Sequence, residues 1–246
     1  MSHRVVTSPT VLSTFSGAGG LDLGLERAGF RTIALIELDM AARETLRLNR
    51  PQWGLLENPD IIDVAAELEP STLKLQKREL GLLVGGPPCQ PFSKAAQWAD
   101  RGRAGLKDPR AKCLSAFLTL LEKFLPRAVL IENVPGFLRG KTSALRLLEE
   151  AVEGINVRND TNYCLQGRIL NAVDYGVPQR RYRAILVALR DGEKFEWPHP
   201  THKTPVRAYD ALKGVRPKDP PSSSGYWADL LPSIPEGRNY LFHTSA

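Results

Sequence analysis

A chain of 246 residues has room for one full domain and a small second one, and at this length folding buries roughly three-quarters of the unfolded surface. With 42% hydrophobic and 24% charged residues the composition is that of an ordinary globular protein, which excludes disordered and fibrous classes. Thirty-three Lys and Arg against 27 Asp and Glu leave +6, all of it within residues 1–190, an excess that favours a polyanionic partner.

Short apolar runs dense in Val, Ile and Leu predict strands at Val11–Phe15, Ile33–Glu37, Leu80–Gly85, Ala128–Glu132 and Tyr182–Leu189. Between them the spacing predicts helices over Leu23–Ala28, Ala41–Asn49, Cys113–Phe124 and Ala144–Ile155. In the third helix Leu114, Phe117, Leu118, Leu121, Phe124 and Leu125 follow the i, i+3, i+4, i+7 stripe, and Pro126 ends it. Alternation of this kind implies an α/β fold: a doubly wound, mostly parallel sheet whose ligands lie beyond the carboxyl ends of the strands.

Two stretches fall outside this scaffold. Pro87 to about Lys112 lacks periodicity and carries Arg101, Arg103, Lys107, Arg110 and Lys112, and a loop so long in a compact domain is usually functional or disordered. From about Trp197 the chain holds eight of its 19 prolines. We therefore expect a main domain over residues 1–195 and a Pro-rich start of a further one over 196–246.

Cys89, Cys113 and Cys164 are odd in number and widely spaced, which builds neither a disulfide framework nor a Cys-x-x-Cys metal site. Cys113 falls at a predicted helix start and Cys164 in a predicted strand, the ordinary setting of a structural thiol. No leader-like N-terminus and no apolar run of about 18 residues is present, so a cytoplasmic location with no membrane and no metal is expected.

Four constellations could carry chemistry. The first strand runs into Phe15-Ser16-Gly17-Ala18-Gly19-Gly20-Leu21 and then a helix, and Glu37 ends the next strand 20 residues after Gly17. Glycines at a strand-to-helix turn admit a ligand close to the backbone, and a carboxylate at that spacing suits ribose hydroxyls, which together suggest an adenosine-containing cofactor. Asp22 stands where the nicotinamide-type G-x-G-x-x-G needs its third glycine, which argues against NAD. A tight turn with a solvated carboxylate reads the same way.

The third strand opens into Gly85-Gly86-Pro87-Pro88-Cys89-Gln90-Pro91-Phe92-Ser93, a rigid loop that would hold a thiol over the ligand crevice. A cysteine acts as a nucleophile in its thiolate form, which the following basic loop would favour; the alternative is a buried structural cysteine. After the fourth strand, Glu132 of Ile131-Glu132-Asn133-Val134-Pro135-Gly136 would face the same crevice, where a partly buried carboxyl can exchange a proton; otherwise it is a cap or surface charge. Finally, Gln179-Arg180-Arg181-Tyr182-Arg183 leads into the last strand, and alternation places Arg181 and Arg183 on one face, suited to a phosphate or base edge or to surface ion pairs.

From Val11 to Leu189 these strings resemble, in order and spacing, the cytosine-5 DNA methyltransferases. The Gly-Gly-Pro-Pro-Cys-Gln-Pro-Phe-Ser string at 85–93 is highly specific; the F-x-G-x-G-G turn at 15–20, Glu132-Asn133-Val134 and the Q-x-R-x-R pattern at Gln179, Arg181 and Arg183 are each moderately so. Val173–Gln179 also looks like the family's lead into that last pattern.

The resemblance implies a Rossmann-like methyltransferase domain with S-adenosylmethionine as cofactor and S-adenosylhomocysteine as product. Phe15, Ser16, Gly17, Ala18, Gly19, Gly20 and Leu21 would surround the methionine part and Glu37 the ribose. Asp60-Ile61 would meet the adenine, although Pro59 replaces the family's usual glycine. Leu38 and Pro87 complete the cofactor set. Cys89 would attack C6 of a cytosine flipped out of double-stranded DNA, Glu132 would hold N3 and the exocyclic amine, and Arg181 and Arg183 would bind the base and its phosphate. Gln90, Ser93, Gln179 and Arg181 would contact DNA, and the loop 90–112 would close over the base.

Family members usually continue through a recognition region and two further motifs, neither of which is found after Arg190. A truncated chain, or a second polypeptide supplying the remainder, is the corresponding expectation. Small members of this kind look bacterial or viral and imply a restriction-modification context and a nucleoid-associated enzyme. Three alternatives stand beside DNA methylation: a tRNA cytosine-5 methyltransferase, a non-catalytic nucleic-acid-binding member, and an NAD-dependent oxidoreductase.

Overall fold

The computed structural model describes residues 8–88, 109–139, 144–215, 224 and 228–235. Within them the chain runs β1 (Thr10–Thr14), α1 (Gly20–Arg27), β2 (Arg31–Ile36), α2 (Met40–Asn49), α3 (Ile61–Glu67), β3 (Leu82–Gly85), α4 (Pro109–Phe124), β4 (Ala128–Asn133), α5 (Ala144–Asn159), β5 (Gln166–Asn171) and β6 (Tyr182–Leu189). It divides into two compact units, one ending at Val206 and one beginning at Arg207. The second unit holds a short helix, α6 (Ala208–Leu212), where Arg207 pairs with Asp210 at 2.7 Å, and a 3-10 segment over Ala228–Ser233.

The first unit is α/β with one six-stranded sheet in the order β2-β1-β3-β4-β6-β5. Strands β2, β1, β3 and β4 are parallel, while β6 is antiparallel to both β4 and β5. The expected doubly wound, mostly parallel Rossmann-like architecture is thus present. Chain order changes direction at β1, with β2 on one side and β3 on the other, so β1 and β3 flank the point at which such sheets open a crevice.

Both sheet faces are covered, which is why the strands read as nearly continuous apolar runs. On one face Val11, Leu82 and Val84 pack on Leu25 of α1, with Leu35, Leu46 and Trp53 packing beside them under α2. On the other, Leu12, Ala34, Ile36 and Leu83 meet α3, α4 and α5 through Ile61, Val64, Phe117, Leu120, Leu121, Phe124, Leu148 and Val152. The α4 stripe is buried as its periodicity implies. Leu125, at φ +43 and buried, turns the chain out of the helix ahead of Pro126.

Among the helices and strands of the first unit, two were not foreseen. Helix α3 has only seven residues and is announced by little more than its N-cap, Asp60, whose carboxylate accepts from the Ile62 N–H at 2.8 Å. Strand β5 is a polar edge strand, Gln-Gly-Arg-Ile-Leu-Asn, with no apolar alternation to betray it. Cys164 is not in a strand: it is exposed in the loop before β5, where Asn162 and Tyr163 are held by Arg190 and Asn156.

Candidate active site at the carboxyl edge of the sheet

Beyond β1 the chain turns sharply, with Phe15 at φ +54, Gly17 at φ +54 and Gly19 at φ +82. For Phe15 this left-handed backbone is strained, of a kind that persists where surrounding structure enforces it and that clusters at functional sites. At Gly19 no other residue fits: a Cβ would meet Leu46 at 2.9 Å and Trp53 at 3.0 Å. At Gly17, by contrast, a Cβ would meet nothing within 4 Å, so the turn presents open space on that side.

Glu37 follows β2 and is buried against this turn. Its Oε2 accepts from the Gly17 N–H at 2.6 Å and its Oε1 from the Asp39 N–H at 2.8 Å. Each oxygen keeps a lone pair for a further donor. Leu21 in the turn and Leu38 and Met40 after β2 are exposed large apolar side chains, and Ala18 and Gly20 are exposed as well. Asp60 is partly exposed at the start of α3, and the Ile61 side chain is buried in the core.

Asp22 has no exposure and neither carboxylate oxygen has a hydrogen-bond partner. Burial pushes its pKa up, and the nearby Ser13 hydroxyl, bonded at 3.0 Å to that of Ser16, opposes only part of that rise.

The second carboxylate, Glu132, lies at the end of β4, three strands along from β2 in the sheet. β3 and β4 run in register, Gly85 beside Ile131, so the chain leaving β3 passes the end of β4. Gly86 lies against Glu132, where a Cβ would stand 3.3 Å from its Oε2, and the buried Asn133 donates from Nδ2 to the Pro87 carbonyl at 2.8 Å. Because β6 is antiparallel to β4, its first residues meet the last of β4, and Arg183 Nε forms an ion pair with Glu132 Oε1 at 2.8 Å. About 30% of each side chain is exposed, 27% for Arg183 and 31% for Glu132.

Arg183 and Glu132 are therefore brought together as a pair. Arg181 precedes β6 and is exposed, its backbone N–H donating to Asn171 Oδ1 at 3.1 Å, and Gln179 is exposed in the turn before it. Cys89, Gln90 and Ser93, with the loop through 108, lie outside the described residues. Asn133 and Gly86 were not singled out from sequence, although both belong to strings that were. Arg43 gave no such sign; it is buried, and its one indication is helical spacing that puts it on the same face of α2 as Leu46.

Among the described residues no cluster of His, Cys, Asp and Glu could hold a metal ion, and no helix is long and apolar enough to cross a membrane.

The family model for C-5 cytosine-specific DNA methylases matches residues 10–234. Among curated relatives, the type II methyltransferase M.AquIA of Picosynechococcus is 35% identical over 232 residues, covering 87% of this chain and 91% of that protein. The type II methyltransferase M.Eco47II of Escherichia coli is 37% identical over 93% of this chain, of which this chain spans about half, 53%. A solved E. coli structure described as a prophage-encoded DNA modification methyltransferase superposes with TM-score 0.65 at 26% identity, over 93% of this chain and 66% of its own. The Schizosaccharomyces pombe Dnmt2 structure, at 24% identity and TM-score 0.53 over 77% of this chain and 52% of its own, shares the fold. With a family match across nearly the whole described chain, this protein belongs to the C-5 cytosine-specific DNA methylases.

Proposed function

We propose that the chain transfers a methyl group to C5 of cytosine in double-stranded DNA, using S-adenosylmethionine held at the β1–α1 turn and releasing S-adenosylhomocysteine. The observation that supports this most is the Arg183–Glu132 pair, seated beside Gly86 and Pro87 where the chain runs on to Cys89, at the same sheet edge as the Gly17–Glu37 clasp.

The residues at that turn fit the cofactor. Open space at Gly17 admits an extended polar chain against the backbone, and the spare lone pairs of Glu37 are acceptors for a vicinal diol. Phe15, Ser16, Ala18, Gly19, Gly20 and Leu21 would line the methionine end, Leu38 with Asp60 and the main chain of Ile61 the adenine, and Pro87 the reacting end. When bound, the cofactor supplies an electrophilic methyl group on a sulfonium.

Cytosine C5 and C6 cannot be reached by a thiol inside the stack, so the base must be extruded. Cys89, as thiolate, adds to C6, and the electron pair of the C5–C6 bond shifts toward C5 and the N3 side of the ring. Glu132 exchanges its ion pair with Arg183 for N3 and the exocyclic amine of the base and stabilises the charge that develops there. C5 then bonds to the methyl group, a base such as water removes the C5 proton, and β-elimination returns the electron pair to the ring and frees Cys89. Arg181 and Gln179, both exposed, would contact the backbone near the base, with Gln90 and Ser93 on the opposite side.

Residues 1–195 would form this catalytic domain and 196–246 the start of a target-recognition region, completed by further sequence or by a second polypeptide. The restriction-modification character of the named relatives suggests a bacterial-type role in the cytoplasm, at the nucleoid.

The experiment is adduct formation with a duplex carrying 5-fluorocytosine in the presence of the cofactor. Fluorine at C5 leaves no proton to remove, so elimination stalls and the thiol stays bonded. A Cys89-dependent covalent complex, absent in Cys89→Ser, is expected; its absence with the recognition region supplied would overturn the reading.

A further inference from the structure

Arg43 is 2% exposed, yet no ion pair among the described residues includes its guanidinium. Its side-chain hydrogen bonds all end on backbone carbonyls: Nη1 donates to Glu37 at 3.0 Å, and Nη2 donates to Leu56 at 2.9 Å and to Glu57 at 3.2 Å. Burying a cation without a counter-charge is expensive, and an apolar side chain of similar volume would serve packing at least as well. A charge kept under those conditions points to something the three carbonyls must do.

They belong to two segments, the end of β2 and the strap beside it, that would flank the adenosine part of the cofactor proposed above. Glu37 closes β2. The 54–57 strap lies alongside β2, with the Leu35 N–H donating to Gly54 at 2.9 Å and the Leu56 N–H to Leu35 at 3.0 Å, and then leads into Asp60 and α3. Sheet-type bonding between strap and strand stops there, and Arg43 takes over from it. The carboxylate of Glu37 is fixed by Gly17 and Asp39, and its main chain is fixed by Arg43. The planar fork of arginine can reach several acceptors at once where a lysine ammonium reaches as a point charge.

We infer that Arg43 is a positioning residue for the cofactor: by clamping the Glu37 carbonyl to the Leu56 and Glu57 carbonyls it sets the distance between the ribose-binding carboxylate and the strap that carries Asp60. This rests on the reading of Glu37 given under Proposed function. It acts through Glu37, so its effect must depend on Glu37.

The test is a double-mutant cycle on binding of S-adenosylhomocysteine, read by isothermal titration calorimetry on the full chain as wild type, Arg43→Met, Glu37→Gln and the double variant, with melting temperatures recorded separately. Arg43→Met is expected to weaken binding by roughly tenfold or more, the scale on which partners that orient a ligating side chain act. In the Glu37→Gln background most of that loss disappears, and Arg43→Lys binds with an intermediate Kd. An unchanged Kd in Arg43→Met, or the same fold-loss with and without the Glu37 carboxylate, would overturn the inference and leave Arg43 as a stabiliser of the fold only. If Arg43→Met does not fold, the same cycle with Arg43→Lys gives the same two outcomes. A wild-type chain that binds no S-adenosylhomocysteine would instead overturn the cofactor reading itself, and this inference with it.

Discussion

Glu37 and Glu132 stand at the same edge of one sheet, each just at the end of a parallel strand, and are held in opposite ways. Glu37 is buried and gripped by two backbone N–H groups, with its own carbonyl tied down by Arg43. Glu132 is partly exposed, and its ion-pair partner is a single flexible side chain, Arg183. Backbone donors cannot leave without unfolding the turn, whereas an arginine can swing. The first arrangement suits a ligand that enters a prepared site, and the second suits a carboxyl that must accept a new partner when a base arrives and surrender it afterwards. Partly exposed ion pairs are worth little to stability, which makes Arg183 easy to displace.

The largest effect that would sharpen this contrast is on turnover. Glu132→Gln is expected to lower methyl transfer by about 10²–10³-fold, as loss of a group that stabilises developing charge does, while leaving the Kd for S-adenosylhomocysteine unchanged. An equal loss of cofactor affinity would break the contrast. Next comes Glu37→Gln, which turns an amide NH₂ toward one of two backbone donors; binding of S-adenosylhomocysteine should weaken about ten- to a hundredfold, the equivalent of the roughly 1.5–3 kcal/mol of a hydrogen bond to a charged group.

A smaller effect probes the rigid half alone. Gly19→Ala forces a Cβ onto a left-handed backbone and against Leu46 and Trp53, and should cost about 1–2 kcal/mol or more, seen as a fall of several degrees in Tm. The smallest lies at the opposite edge of the sheet. The buried Tyr163 hydroxyl donates to the Pro126 carbonyl at 2.5 Å, and burial raises its pKa well above the ordinary value of 10.0. The unfolded chain therefore releases this proton first, so its contribution is intact below about pH 10 and declines as pH rises further. Denaturant unfolding between pH 8 and 11 should show a steeper alkaline loss in the wild type than in Tyr163→Phe, with S-adenosylhomocysteine binding at neutral pH the same in both.

Much of this edge was legible from residue order. Runs of Val, Ile and Leu mark strands covered on both faces, and the strings after β1, β3 and β4 stand at carboxyl ends because parallel strands share one direction. The reversal of β6, which brings Arg183 to Glu132, has no such signature: an apolar run reads the same in either direction. Strand β5 is hidden because a polar edge strand has only one neighbour to bury it. Arg43 is hidden for a different reason. An arginine in an amphipathic helix looks like part of a solvated face, and only the three carbonyls, supplied by segments six to fourteen residues away, make it a buried clamp.

The most direct measurement is transfer of labelled methyl from S-adenosylmethionine to unmethylated duplex DNA by the full chain, against Cys89→Ser and with tRNA as competing substrate. The account predicts label in DNA that depends on Cys89 and is not diverted by tRNA. Label that persists in Cys89→Ser, or that goes to tRNA in preference to DNA, would contradict it.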